Sequence, residues 1–273
     1  MLDSISPLML IAALLVAGLS AGLIAGLLGV GGGIIIVPVL FRLFTILGLE
    51  PGVAMHLAVG TSLASIIPTS ISAVRSHLLR DAVDLALLRR WTPAVVVGVL
   101  CGTAVASAVR GEVLTGLFGT VAFLVALYMT FVPERARLRD ALPSPAIQAG
   151  IAAVIGAFSS MMGIGGGTLT VPSLVLCDYP IRRAVATSSA IGMVIAIPGA
   201  IGFVVAGWGA PGLPPFSFGY VSWLGLVLIV PTAMITAPIG ARLAHSIDPR
   251  LLKRAFAVFL VLTSSHMLYS LLG

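Results

Sequence analysis

The chain has 273 residues, 59% of them hydrophobic and only 9% charged, with a mean hydropathy of +1.17 and a formal net charge of +6. A soluble globule of that composition could not cover its own surface with polar groups, so the chain reads as a polytopic membrane protein. The positive charge comes from arginines at the ends of apolar runs; it reports topology and contact with anionic headgroups, and it excludes nucleic acid as a partner.

At about twenty residues per crossing, apolar runs broken by charges and turn residues give ten segments: 7–28, 34–47, 53–74, 85–109, 113–132, 147–162, 169–176, 184–206, 220–241 and 252–271. The first lacks a basic leader and runs straight into further apolar sequence, which makes it a retained helix and not a signal peptide. The second and seventh are short. Each contains a proline, Pro38 or Pro172, and each follows three consecutive glycines, so both are expected to be half-helices or re-entrant arms. Cys101 and Cys177 fall in different segments with no metal-ligand spacing and are expected to be buried and inert. No nucleophile, acid–base cluster or metal ligand set suggests an enzyme, and no metal or cofactor is expected.

The glycine triplets belong to a repeat. Gly29-Val30-Gly31-Gly32-Gly33-Ile34-Ile35-Ile36-Val37-Pro38 returns as Gly163-Ile164-Gly165-Gly166-Gly167-Thr168-Leu169-Thr170-Val171-Pro172. Ala58-Val59-Gly60-Thr61-Ser62 returns as Ala184-Val185-Ala186-Thr187-Ser188, and Gly102, Leu114 and Phe118 align with Gly240, Leu252 and Phe256 at one constant separation. The expected fold is therefore all-α: one transport domain of two inverted repeats with five segments each. The repeats cover about 5–132 and 146–273, joined by an arginine-rich linker at 133–145.

The positive-inside rule orients the chain. Arg75, Arg80, Arg89 and Arg90, then Arg135, Arg137 and Arg139, then Arg182 and Arg183, and finally Arg242, Arg250, Lys253 and Arg254 are expected in the cytoplasm. Glu50 and the uncharged stretch 208–217 are expected outside, with both termini. Arg110, beside Glu112, then falls outside at a small cost to the scheme.

The paired glycine-rich segments, each followed by an Ala-Val-(Gly/Ala)-Thr-Ser helix, resemble the TauE/SafE family of sulfite exporters and related sulfonate permeases along essentially the full chain. The resemblance implies a multi-pass permease of the cell (inner or plasma) membrane that moves a small anion, a sulfur oxyanion or an organosulfonate.

The residues themselves suit an anion. Successive N–H groups at Gly31, Gly32, Gly33, Gly165, Gly166 and Gly167 offer donors, and the helix that starts after each triplet adds a positive dipole end. Thr61, Ser62, Thr168, Thr187 and Ser188 offer hydroxyls without a permanent charge at bilayer depth. In the first arm Ile34 and Ile36 stand where the second has Thr168 and Thr170, so the second arm is expected to be the wetter. Each feature has a plainer reading: glycines for close helix packing, hydroxyls bonded to the carbonyl one turn back, Pro38 and Pro172 as helix-break architecture, and Arg42 snorkelling to the interface. His56 is a candidate for proton coupling. No Asp or Glu lies in the middle of a span, so H+ coupling, Na+ coupling and uncoupled flow down the membrane potential stay open, as does a homo-oligomer. An anion channel, or a permease for another small organic anion, is the alternative function.

Overall fold

The computed structural model describes residues 7–28, 32–131, 141–244 and 249–271. Gly31 and the linker arginines Arg135, Arg137 and Arg139 lie outside the described residues. The described chain is all-α apart from one two-stranded turn. Its helices are α1 (Pro7–Leu28), α2 (Gly33–Ile46), α3 (Pro51–Leu78), α4 (Leu85–Ala108), α5 (Gly111–Phe131), α6 (Pro145–Met162), α7 (Gly167–Val175), α8 (Ile181–Ala206), α9 (Trp223–Ala244) and α10 (Pro249–Tyr269). Among the described residues, six helices are long and apolar enough to cross a membrane: α3, α4, α5, α6, α8 and α9. The protein is thus an all-α polytopic membrane protein.

Local chemistry sets several boundaries. Pro51 and Pro145 open α3 and α6, where a missing N–H costs nothing. Asp84 opens α4 by accepting the Leu87 N–H at 2.9 Å. Gly163 closes α6 in the left-handed conformation, φ +66°. The two arms are short, as their sequences predict. With a rise of 1.5 Å per residue, the 14 residues of α2 span about 21 Å and the 9 of α7 about 14 Å, against a hydrocarbon core of about 30 Å.

Helix pairing is reciprocal. α1 packs on α9 and α6 on α4; α2 lies on α3 and α7 on α8; α3 meets α8, and α5 meets α10. Exchanging each helix for the one five later turns this set of pairs into itself. The correspondence reaches single residues. Gly22 fits against the backbone of Ala233 and Gly156 against that of Val95, leaving no space for a side chain at either glycine. The step from Gly22 to Gly156 is the step between the two glycine triplets, and the step from Val95 to Ala233 is that from Gly102 to Gly240.

Two expectations need correction. The ninth segment does not begin at residue 220. β1 (Ser217–Phe218) pairs with β2 (Val221–Ser222), and left-handed Gly219, φ +52°, turns the chain before α9 starts. Apolar content alone cannot separate these turn residues from the helix they precede. Nor are the cysteines buried: Cys101 is exposed and Cys177 partly so. In a membrane span an apolar side chain satisfies the hydrophobic effect on the lipid-facing surface as well as in the core.

Candidate substrate site at the paired helix breaks

The two glycine-rich breaks meet. A Cβ on Gly33, at the start of α2, would stand 2.5 Å from the Gly163 carbonyl oxygen and 2.9 Å from the Ile164 Cα. Gly163 in turn lies on the backbone of Val59 in α3. Gly166 fits against α8, where a Cβ would come within 2.6 Å of the Ser188 oxygen and 2.8 Å of the Gly192 nitrogen. Gly165 has more room, with its nearest neighbour the Ile66 side chain at 3.7 Å. Close approach therefore demands glycine at 33 and 166. Of the described residues in the two breaks, only Gly163 has positive φ; Gly32 and Gly166 are right-handed. The start of each arm is where an anion would find free backbone donors.

At α7 the first helical hydrogen bond runs from the Thr170 N–H to the Gly166 oxygen, 2.9 Å. The N–H groups of Gly167, Thr168 and Leu169 precede that bond and find no acceptor within the helix, as at any helix start. Three nearby carbonyls are engaged: Ser159 O accepts from Ile164 N, Ser160 O from Gly163 N, and Gly163 O from the Ser62 hydroxyl at 2.7 Å. The start of α7 thus presents spare donors, to which an anion can bind.

The sequence-derived hydroxyls divide sharply. Thr61 Oγ1 accepts the Ser222 N–H at 2.9 Å, and Thr187 Oγ1 accepts the Asp84 N–H at 3.0 Å. These bonds are counterparts. Ser222 Oγ accepts the Gly225 N–H at the start of α9, as Asp84 Oδ1 accepts the Leu87 N–H at the start of α4. Each threonine therefore fixes the capped N-terminus of a long helix in the opposite half. Ser188 bonds back to the Val185 oxygen at 2.8 Å. By contrast, Thr168 Oγ1 is buried without a partner, as are Thr170 Oγ1 and Ser159 Oγ. An unsatisfied buried hydroxyl costs about 1–3 kcal/mol. The three aligned residues of the first half are Ala25, Ile34 and Ile36, so this cost is confined to the second hairpin.

His56 and Arg42 are not brought to the breaks. The His56 ring nitrogens lie 2.8 Å from the Gly52 oxygen and 2.9 Å from the Ala106 oxygen, and the ring sits 4.9 Å from that of Tyr220. Arg42 is on the exposed side of α2. Pro38 and Pro172 lie within α2 and α7.

Sequence reasoning missed Asp84 and Tyr179. The Tyr179 hydroxyl, in the connection from α7 to α8, donates to Asp84 Oδ2 at 2.5 Å. That bond and the Leu87 N–H hold the Asp84 carboxyl below the ordinary carboxylate range, while burial and then the bond to Asp84 push the Tyr179 phenol above its own. The available signal was the repeat itself, since the step from Gly102 to Gly240 also carries Asp84 onto Ser222.

A family model described as sulfite exporter TauE/SafE matches residues 14–267. A probable membrane transporter protein of Haemophilus influenzae is 33% identical over 245 residues, covering 88% of this chain and 91% of the relative. Others from Methanocaldococcus jannaschii and Bacillus subtilis (YunE) are each 27% identical, covering 90% and 94% of this chain and 91% and 96% of their own. No solved structure matches significantly.

Proposed function

The chain belongs to the sulfite exporter TauE/SafE family and is a multi-pass membrane transporter, and from that premise we propose that it carries a small anion across the cell (inner or plasma) membrane. The favoured substrate is a sulfur oxyanion or an organosulfonate, and the favoured direction is export. One observation carries this reading: two glycine-rich helix breaks lie against each other, and the second offers unpaired donors at the start of α7. In hydrocarbon such breaks persist only where they pack on protein or line a path. Matched breaks in two halves are the usual place for a transported substrate.

The reciprocal packing supports an inverted repeat, with alternating access by movement of the α1–α2 and α6–α7 hairpins against the other helices. Both termini are proposed to lie outside. In support, the α3–α4 connection, which carries Arg80, meets the α7–α8 connection and the start of α8, which carries Arg182 and Arg183, through Asp84, Tyr179 and Thr187 at one end of the molecule. At the other end Gly52 fits against Gly111, and Gly207 against Gly219 and Tyr220. An inside-negative potential favours anion export by about 2.3 kcal/mol per charge per 100 mV, so no coupled ion is required.

The test is counterflow in proteoliposomes loaded with sulfite, sulfate, ethanesulfonate or propionate. Saturable, trans-stimulated flux of one of these is expected. Flux of none would overturn the reading, and saturation-free current without trans-stimulation would mark a channel.

A further inference from the structure

Resting on the permease reading, we propose that one half of the protein alone holds the substrate. The oxyanion head sits on the start of α7, bound by the Thr168 hydroxyl and the N–H groups of Gly167, Thr168 and Leu169. Elimination carries much of this. Of the six hydroxyls that the repeated motifs supply, Thr61 and Thr187 are engaged with Ser222 and Asp84, Ser62 with Gly163, and Ser188 with Val185. Thr168, 3% exposed, and Thr170, fully buried, remain without a partner, and of the two only Thr168 lies within the first turn of α7, at the break.

Direction supports it as well. Cα–Cβ bonds tilt toward a helix's N-terminus, so the second residue of α7 carries its hydroxyl toward the break, where the spare N–H groups also point. A helix start and a buried, unpaired donor thus converge on one place. The first half has no equivalent, because Ile34 replaces Thr168. Beside the break, Ile66 takes the position that Gly192 occupies in the second half, and its side chain stands 3.7 Å from a Cβ on Gly165 and 3.1 Å from one on Gly33. Polar donors on one side and an isoleucine on the other fit a monoanion with a single oxyanion head, sulfonate or carboxylate, on a small apolar body. They fit less well an ion such as sulfate, which is polar on every side.

Thr170 supplies an internal control. Its hydroxyl is equally buried and unpaired, but it lies two positions on, on the opposite side of α7. The experiment measures thermal shifts and counterflow of the full-length protein with ethanesulfonate, propionate, sulfite and sulfate. Ethanesulfonate or propionate should stabilise the wild type more than sulfate does, and which of the two is stronger tells sulfonate from carboxylate. Thr168→Val should match or exceed the wild-type melting temperature without ligand, yet bind the anion roughly tenfold to a hundredfold more weakly. Thr168→Ser should restore binding and Thr170→Val should keep it.

Wild-type affinity in Thr168→Val, or equal losses in Thr168→Val and Thr170→Val, would overturn the one-sided site while leaving the permease reading intact. Equal or stronger stabilisation by sulfate would overturn the head-and-body assignment. A wild type that neither binds nor moves any of the four anions would overturn this inference together with the permease reading.

Discussion

Sequence offers Thr61 and Thr187 as substrate hydroxyls, and each holds the N–H of the residue that caps a helix of the other half. Thr61→Val should therefore lower stability by about 1–3 kcal/mol through the orphaned Ser222 N–H, with Thr61→Ser restoring it; a melting temperature unchanged in Thr61→Val would rule out that role. At Asp84 the sign of the pH effect follows from a depressed carboxyl. Its stabilisation is complete above the unfolded pKa of about 3.9 and is lost as the pH falls through the lower folded value. Tyr179 is the largest cause of the depression, so Tyr179→Phe should move this acid loss toward ordinary carboxylate pH. Melting curves from pH 3 to 7 for both proteins test it, and superimposable profiles would refute the assignment.

Helix pairs α1–α9 and α4–α6 approach closely because small residues face backbone at the contact. Without a hydrophobic drive between helices in lipid, that contact supplies the packing. A leucine at Gly156 would collide with Val95, whereas Gly150, on the same helix, has no neighbour within 4 Å. Gly156→Leu should thus give no monodisperse protein in detergent, and Gly150→Leu should behave as wild type on size-exclusion chromatography. The arms illustrate what an element's sequence reveals. Glycine and proline announce a broken helix, but whether each glycine serves a turn or a close contact depends on its neighbours. Gly163 is left-handed, while Gly166 is right-handed and pressed against Gly192.

Across the whole molecule the threonine bonds run from one half to the other, and so does the contact of Gly33 with Gly163. Neither half satisfies its own backbone alone, so residues 1–140 expressed without the rest should be degraded, with recovery on co-expression of the second half. Blotting of membranes would reveal it, and stable accumulation of the lone half would contradict it. Topology is testable on a background with Cys101 and Cys177 replaced by alanine. Leu79 is 88% exposed in the α3–α4 connection and Trp208 73% exposed in the α8–α9 connection. In intact cells a membrane-impermeant thiol reagent should label Trp208→Cys and spare Leu79→Cys; the reverse pattern would invert the proposed orientation.

Composition and period were enough to determine a helical membrane protein, its ten segments, the two short arms and the pairing of motifs between halves. These follow from the bilayer, which demands long apolar runs and punishes a broken helix wherever it occurs. Tertiary structure decided which hydroxyls are spent and which are spare. Thr61, Thr187 and Thr168 are the same kind of residue in the same kind of sequence, yet Ser222 and Asp84 satisfy the first two and nothing satisfies the third. A hydrogen bond depends on which group arrives within 3 Å from a remote part of the chain, and local sequence holds no record of that arrival.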